Sequence, residues 1–281
     1  MSNGDDKPSE QNVGNWAAVI GRWRFDDGGR TIYEGPQKPE WPFGICLSNV
    51  RFSEGEVRVT VQQNNGPEVD GRVLLGYRSP TADYFAIGLG GYGDAYTMTH
   101  FNVVDGWRNI ASAGRKENLT VGRLYELCVR VRGQRIAFEV DGVRVLEHLL
   151  EMPLPYGQLG LFVWGDGTSD FTKVSVRKDP GEVFVVMQFS GFQELYADVI
   201  RPITKEFGLE PYRADEVFGP GNIIEDIIHG IETAQIIIAE ITPSNENVFY
   251  EVGYAHALKK PTILLADRGK KLPFDISGRR C

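Results

Sequence analysis

The feature that most constrains this chain is a change of hydrophobic rhythm near Pro180. Before it, apolar residues recur with period two. Glu56-Val57-Arg58-Val59-Thr60-Val61-Gln62, Tyr125-Glu126-Leu127-Cys128-Val129-Arg130-Val131 and Arg135-Ile136-Ala137-Phe138-Glu139-Val140 all alternate. Strict alternation places apolar side chains on one face of a half-buried strand. Asp141-Gly142 between two such runs supplies the positive φ of a tight hairpin turn. Further apolar runs predict strands near 44–52, 72–78, 83–89 and 158–164. Many short strands punctuated by Gly and Pro predict an antiparallel β-sandwich of the jelly-roll kind.

After Pro180 the runs become continuous or helical. Val183–Phe189, Ile236–Ala239 and Pro261–Ala266 read as strands buried on both faces. A short strand is expected at 209–214. Residues 192–207 carry helical spacing, with Pro202 a point of kinking and Gly208 a stop. Asn222–Ala234 reads as an amphipathic helix, with Ile223, Ile224, Ile227, Ile228 and Ile231 on one side. Residues 247–258 form the next helix. Strands alternating with helices imply a parallel sheet with right-handed crossovers. The expected organisation is a tail over 1–12 too polar to order, a sandwich over 13–178, a boundary at Lys178–Gly181, and an α/β domain over 182–281.

Composition narrows the setting. A net charge of −8 argues against a broad nucleic-acid or acidic-membrane surface. No apolar run reaches the length of a membrane-spanning helix, and the N-terminus lacks a signal-peptide pattern, so a cytoplasmic protein is expected. The three cysteines, Cys46, Cys128 and Cys281, offer neither a disulfide framework nor a CxxC metal site. The four histidines have no metal-ligand spacing, and His256 reads as a packed helix residue. Gly88-Leu89-Gly90-Gly91-Tyr92-Gly93 opens no helix and is rejected as a dinucleotide fingerprint. No metal or cofactor is expected.

In open α/β sheets ligands sit beyond the carboxyl ends of the strands. That places Gln188 and Phe189, Arg213 and Asp215, Glu240 and Asn247, and Asp267 and Arg268 around a site. Gly219-Pro220-Gly221-Asn222 precedes a helix and reads as a turn with an Asn cap rather than an anion cradle. Glu251 lies in the first turns of the last helix. Two readings stand side by side: it serves the helix dipole, or it is a carboxylate facing an anomeric carbon.

The segments VFVVMQF, YRADE, IIEDIIHGIETAQIIIAEIT, NVFYEVGYAHALKKPTILL and PFDI resemble, in this order, the nucleoside 2-deoxyribosyltransferase-like superfamily and the bacterial TIR-like domains of the same fold group. The resemblance implies a flavodoxin-like parallel sheet, with Glu251 of the E-x-G-x-A segment as the catalytic carboxylate. It also implies Gln188, Phe189, Arg213, Asp215, Glu240, Asn247 and Tyr250 as substrate-binding residues, with Glu240 standing where Asp is more usual. The family continues beyond PFDI into another strand and helix. An assembly-dependent site in a homo-oligomer is therefore expected. YELCVRVRGQRIAFEVDGVRVLEH and GQLGLFVWGDGTSDFTKVSV resemble laminin-G-like or concanavalin-like jelly rolls, whose relatives bind glycans through aromatics. The candidates here are Trp41, Tyr92, Tyr96, Trp107 and Trp164, although such rings more often fill the core or an interface.

The functional expectation that follows is an N-glycosidase acting on NAD or a nucleotide, an antiviral-defence effector activated by assembly. A second is a non-catalytic nucleotide-signal-binding module with a glycan- or protein-binding sandwich. A third is deoxyribosyl transfer between bases.

Overall fold

The computed structural model describes residues 10–38, 42–64, 69–188, 190–216 and 223–270. Trp41, Phe189, the Gly219–Asn222 turn, PFDI, Cys281 and residues 1–9 of the expected tail lie outside the described residues. The chain divides into two compact units, with the division at Asp179/Pro180 and the short segments 132–135 and 150–153 assigned to the second.

The first unit is an antiparallel jelly-roll sandwich. One sheet runs, in spatial order, Val143–Leu149, Arg135–Val140, Leu124–Arg132, Gly55–Asn64, Thr168–Lys178, Thr31–Tyr33 and Trp23–Phe25. The other runs Gly106–Arg115, Asp94–Asn102, Tyr84–Leu89, Gly71–Tyr77, Gly157–Trp164, Phe43–Phe52 and Trp16–Ile20. The alternation read from the sequence is the register. Tyr125, Leu127 and Val129 stand opposite Val61, Val59 and Val57, and all six are at most 2% exposed. Asp141 and Gly142 both have positive φ, as a primed hairpin turn requires.

One expectation is corrected at the N-terminus. Gln11–Asn12 form a strand paired with Ser175 and Val176. Val13 is buried and its N–H donates to the Val174 carbonyl at 2.8 Å. An edge strand and one buried valine offset the ordering entropy that made this stretch read as tail.

Strands Gly71–Tyr77 and Tyr84–Leu89 are buried along their whole length. Val73, Leu75, Ile87 and Leu89 occupy one face and the alternate residues the other. That other face carries an aromatic layer. Tyr84 and Phe162 pack with Ile45, Leu47, Leu74 and Ala86, Tyr77 joins them past the irregularity at Gly76 (φ 74°), and Phe43, Phe101 and Trp107 lie against them. The first candidate site is built on this layer.

The second unit holds a parallel sheet in the order Leu209–Tyr212, Gly181–Val186, Ile236–Glu240, Thr262–Leu265. Numbered along the chain, the order is two-one-three-four. The helical stretch after the first strand is a π-helical turn, Leu195–Ile200, running into Arg201–Glu206 with Pro202 at its start. Pro202 has no N–H to donate, so the regular ladder is interrupted there. The helices Ile223–Thr233 and Glu246–Ala257 follow. Asn245 caps the last of these by accepting from the Asn247 and Val248 N–H groups. The core combines Phe184, Val186, Ile231, Ile237, Ala239, Val248 and Val252. No helix among the described residues is long and apolar enough to cross a membrane.

Candidate functional sites

A cavity of about 510 Å³ opens on the aromatic face of the sandwich. Its floor is Arg72, which faces the cavity beside its register neighbour Phe162. The guanidinium is only 4% exposed, donates to Asp70 and to Thr99 Oγ1 (3.2 Å), and lies 5.6 Å from the Phe162 ring centroid. Its Nε is buried with no hydrogen-bond partner among the described residues. A buried charge survives only when paired, and Asp70, itself 3% exposed, supplies the pairing.

The loop Gly90–Gly93 closes over this pair. All four residues have positive φ, including Tyr92 at 55°. A Cβ on Gly91 would stand 1.8 Å from Arg72 Nη2, and one on Gly90 would stand 2.3 Å from Asp70 Oδ1. The glycine string dismissed as a nucleotide fingerprint is the form the chain needs to wrap an ion pair without side chains in the way. It places Tyr92, exposed and strained in the left-handed region, at the rim. The Tyr92 hydroxyl donates to the Trp107 carbonyl at 3.1 Å. Trp164, 42% exposed, stacks on Phe43 with centroids 5.8 Å apart and planes within 8°. Trp107 is wedged among Tyr84, Phe101 and Phe162. Lys116 and Asp166 complete the polar edge.

Of the expected sandwich aromatics, Tyr92, Trp107 and Trp164 therefore meet at one cavity. Tyr96 does not line it and packs edge-on to Phe138. Arg72, Asp70, Lys116 and Asp166 were not anticipated. The legible signal was Asp70-x-Arg72, two charges at one-face spacing leading into an otherwise apolar strand.

A second cavity, of about 700 Å³, lies in the α/β unit. Gln188, Asn247, Tyr250 and Glu251 line it together with Met187, Ile224, Ile227 and Val248. Three of the expected substrate-binding residues lie elsewhere. Arg213 is buried, holds Asp215 through two hydrogen bonds of 2.8 and 2.6 Å, and lies over the Tyr196 ring. Glu240 is buried and accepts from the Thr242 N–H and hydroxyl, both at 2.8 Å.

The Glu251 carboxyl makes no hydrogen bond or ion pair with the described residues. Burial pushes its pKa from 4.5 to about 7. Between those values the folded chain keeps a proton that the unfolded chain has released. Stability therefore falls as pH rises through this window, and the penalty is complete above it. Glu251→Gln is expected to leave stability unchanged near pH 4. At pH 8 it should raise stability by about 1–2 kcal/mol, a figure reduced for the carboxyl's partial exposure. Urea denaturation at the two pH values checks this.

No protein-family model and no curated protein matches the chain. Solved structures do. A carbohydrate-binding module from Bacillus subtilis is 20% identical, covering 58% of this chain and 95% of its own, with a TM-score of 0.49. A β-glucanase of Bacillus licheniformis is 13% identical, covering 62% and 100%, with a TM-score of 0.45. A protein described among endo-acting O-glycanases of the human gut microbiota is 11% identical, covering 63% and 96%, with a TM-score of 0.46. The expectation of an NAD- or nucleotide-cleaving N-glycosidase is corrected here on the geometry of the second cavity. The site geometry gives a physical reason. Arg213, expected to bind the substrate, is held by Asp215, and no Lys or Arg is among the described residues lining the Glu251 cavity to face a phosphate.

Proposed function

We propose that the sandwich is a glycan-binding domain and that the Arg72 cavity is its sugar site. One observation carries this reading: Tyr92, Trp107 and Trp164 surround a cavity whose floor is a buried arginine with an unsatisfied Nε. Aromatic faces accept the C–H faces of a sugar ring. The guanidinium Nε–H, Lys116 and Asp166 supply donors and an acceptor for its hydroxyls. Arg72 is already neutralised by Asp70, and the lining carries both Lys116 and Asp166, so an uncharged sugar fits better than an acidic one. The volume lies within the ordinary range for small-ligand pockets.

Trp164→Ala is the sharper test, because Trp164 is more exposed than Trp107 and contributes less to the aromatic layer. Screening the full chain on an array of neutral glycans, followed by calorimetry on the best binder, should give binding that Trp164→Ala weakens about tenfold or more, equivalent to about 1.4 kcal/mol. Equal affinity in wild type and variant would sink the assignment of the site. Absence of any glycan binding would sink the function.

The two-one-three-four strand order of the second unit agrees with the first four positions of the flavodoxin-like two-one-three-four-five order. It supports the C-terminal resemblance at the level of topology. In our reading this unit is a small-molecule-binding module joined to the glycan-binding sandwich.

A further inference from the structure

We propose that the Glu251 cavity binds an organic monocation, an amine or amidine carried on an apolar body, and does not take a phosphate.

Four observations carry it. The cavity has room for a ligand, at about 700 Å³. Its walls are largely apolar, through Met187, Ile224, Ile227 and Val248. Its one carboxyl, Glu251, has no hydrogen bond or ion pair with the described residues, and no Lys or Arg lines the cavity among them. Tyr250, 62% exposed, offers a ring face on the same lining.

A carboxylate and an aromatic face over an apolar floor form the complement of an organic cation. A cation arriving here gains Coulomb energy from Glu251 in a medium where it is weakly screened. A phosphate would meet the same carboxylate with no compensating charge among the described lining residues. A neutral ligand of the same shape would gain only a hydrogen bond. The amide side chains of Gln188 and Asn247 can orient the ligand without selecting its charge.

The raised pKa of Glu251 agrees with this, since desolvation is its cause and a bound cation would reverse it. Tyr250 is the other titratable residue of the described lining. Glu225, Asp226 and His229 on one bounding helix, and Glu246 and His256 on the other, lie outside it. Binding of a cation then takes the proton off Glu251 and releases it to solvent.

The test uses three probes of one shape on the full chain: benzamidine (cation), benzamide (neutral) and benzoate (anion), each titrated calorimetrically. Benzamidine should bind about tenfold or more tighter than benzamide, and benzoate should not bind. Benzamidine affinity should rise about tenfold between pH 6 and pH 8, following ionisation of Glu251. At pH 7 about half a proton should be released per benzamidine bound, measured on the wild type in buffers of different ionisation enthalpy. Glu251→Gln should bring benzamidine down to the level of benzamide while leaving glycan affinity at the sandwich unchanged. Equal binding of benzamidine and benzamide, tighter binding of benzoate, no proton release, or no benzamidine binding up to its solubility would each overturn the proposal. None of these outcomes bears on the sugar site, whose test is the glycan titration.

Discussion

Asp70→Ala should be the most damaging single change in the sandwich, lowering its stability by about 3–5 kcal/mol. The loss does not come from the aspartate's own contacts alone. Its removal leaves Arg72, 4% exposed, as an uncompensated charge beneath the Gly90–Gly93 loop. Thr99 Oγ1 and the Phe162 ring remain as neighbours, and neither carries a balancing charge. The pair itself contributes little net stability, because desolvating two ions costs about as much as their attraction returns. The double variant Asp70→Ala, Arg72→Met should therefore recover most of the lost stability, since methionine fills the arginine's space without its charge. Urea denaturation followed by tryptophan fluorescence measures both variants, with an unchanged slope as the sign that stability alone has moved. The double variant should nevertheless lose sugar affinity, because the buried donor is gone. If the double variant is as unstable as the single one, the pair is not what Asp70 serves.

The second large effect belongs to the α/β unit and concerns a glycine. Gly230 lies in the helix Ile223–Thr233 directly over Phe184, which is 1% exposed. A Cβ there would stand 2.8 and 2.9 Å from the Phe184 ring and 3.2 Å from the Tyr212 hydroxyl. In an open helix Gly→Ala gains up to about 1 kcal/mol from propensity. Here it should instead cost about 1–3 kcal/mol, because the ring and the helix cannot both keep their places. Phe184→Ala alone should cost about 3–5 kcal/mol through the cavity it leaves. Gly230→Ala in a Phe184→Leu background should be much milder than in wild type, a coupling that a double-mutant cycle reads directly. The helical far-UV signal is the appropriate probe, since the α-helices of the described chain lie in this unit. Additive effects would mean that Gly230 is not where the helix meets the sheet.

These two sites differ in how far they could be read in advance. Tyr92, Trp107 and Trp164 were visible as candidate sugar-binding aromatics, yet filling the core or an interface was the favoured reading of each. Trp107 meets both descriptions at once, wedged in the aromatic layer and lining the cavity. Arg72 was not anticipated, although the Asp70-x-Arg72 spacing was there to read. Its role depends on Gly90 and Gly91 arriving from another strand connection, and on Phe162 arriving from a third strand about ninety residues away. Glu251 was singled out from its place in a helix together with the E-x-G-x-A resemblance. The empty space before it, and the absence of a cation among the described residues around it, exist only in the folded chain. Arg213 and Glu240 failed to line the cavity because each found a partner two residues away, Asp215 and Thr242. A local hydrogen bond of that kind competes with any ligand, and residue type alone does not reveal which side prevails.

What the amino-acid sequence determined by itself was the alternation of the sandwich strands, the Asp141-Gly142 turn, the change of rhythm at Pro180 and the order of strands and helices after it. Each depends on residues close together in the chain, where periodicity and turn chemistry act directly. The tertiary structure alone decided the pairing of Arg72 with Asp70 under a glycine loop, the gathering of three aromatics into one cavity, and the isolation of Glu251 in another. Those are matters of burial and of charge balance between distant segments. Their energies depend on what lies within a few ångströms in space, which no local pattern specifies.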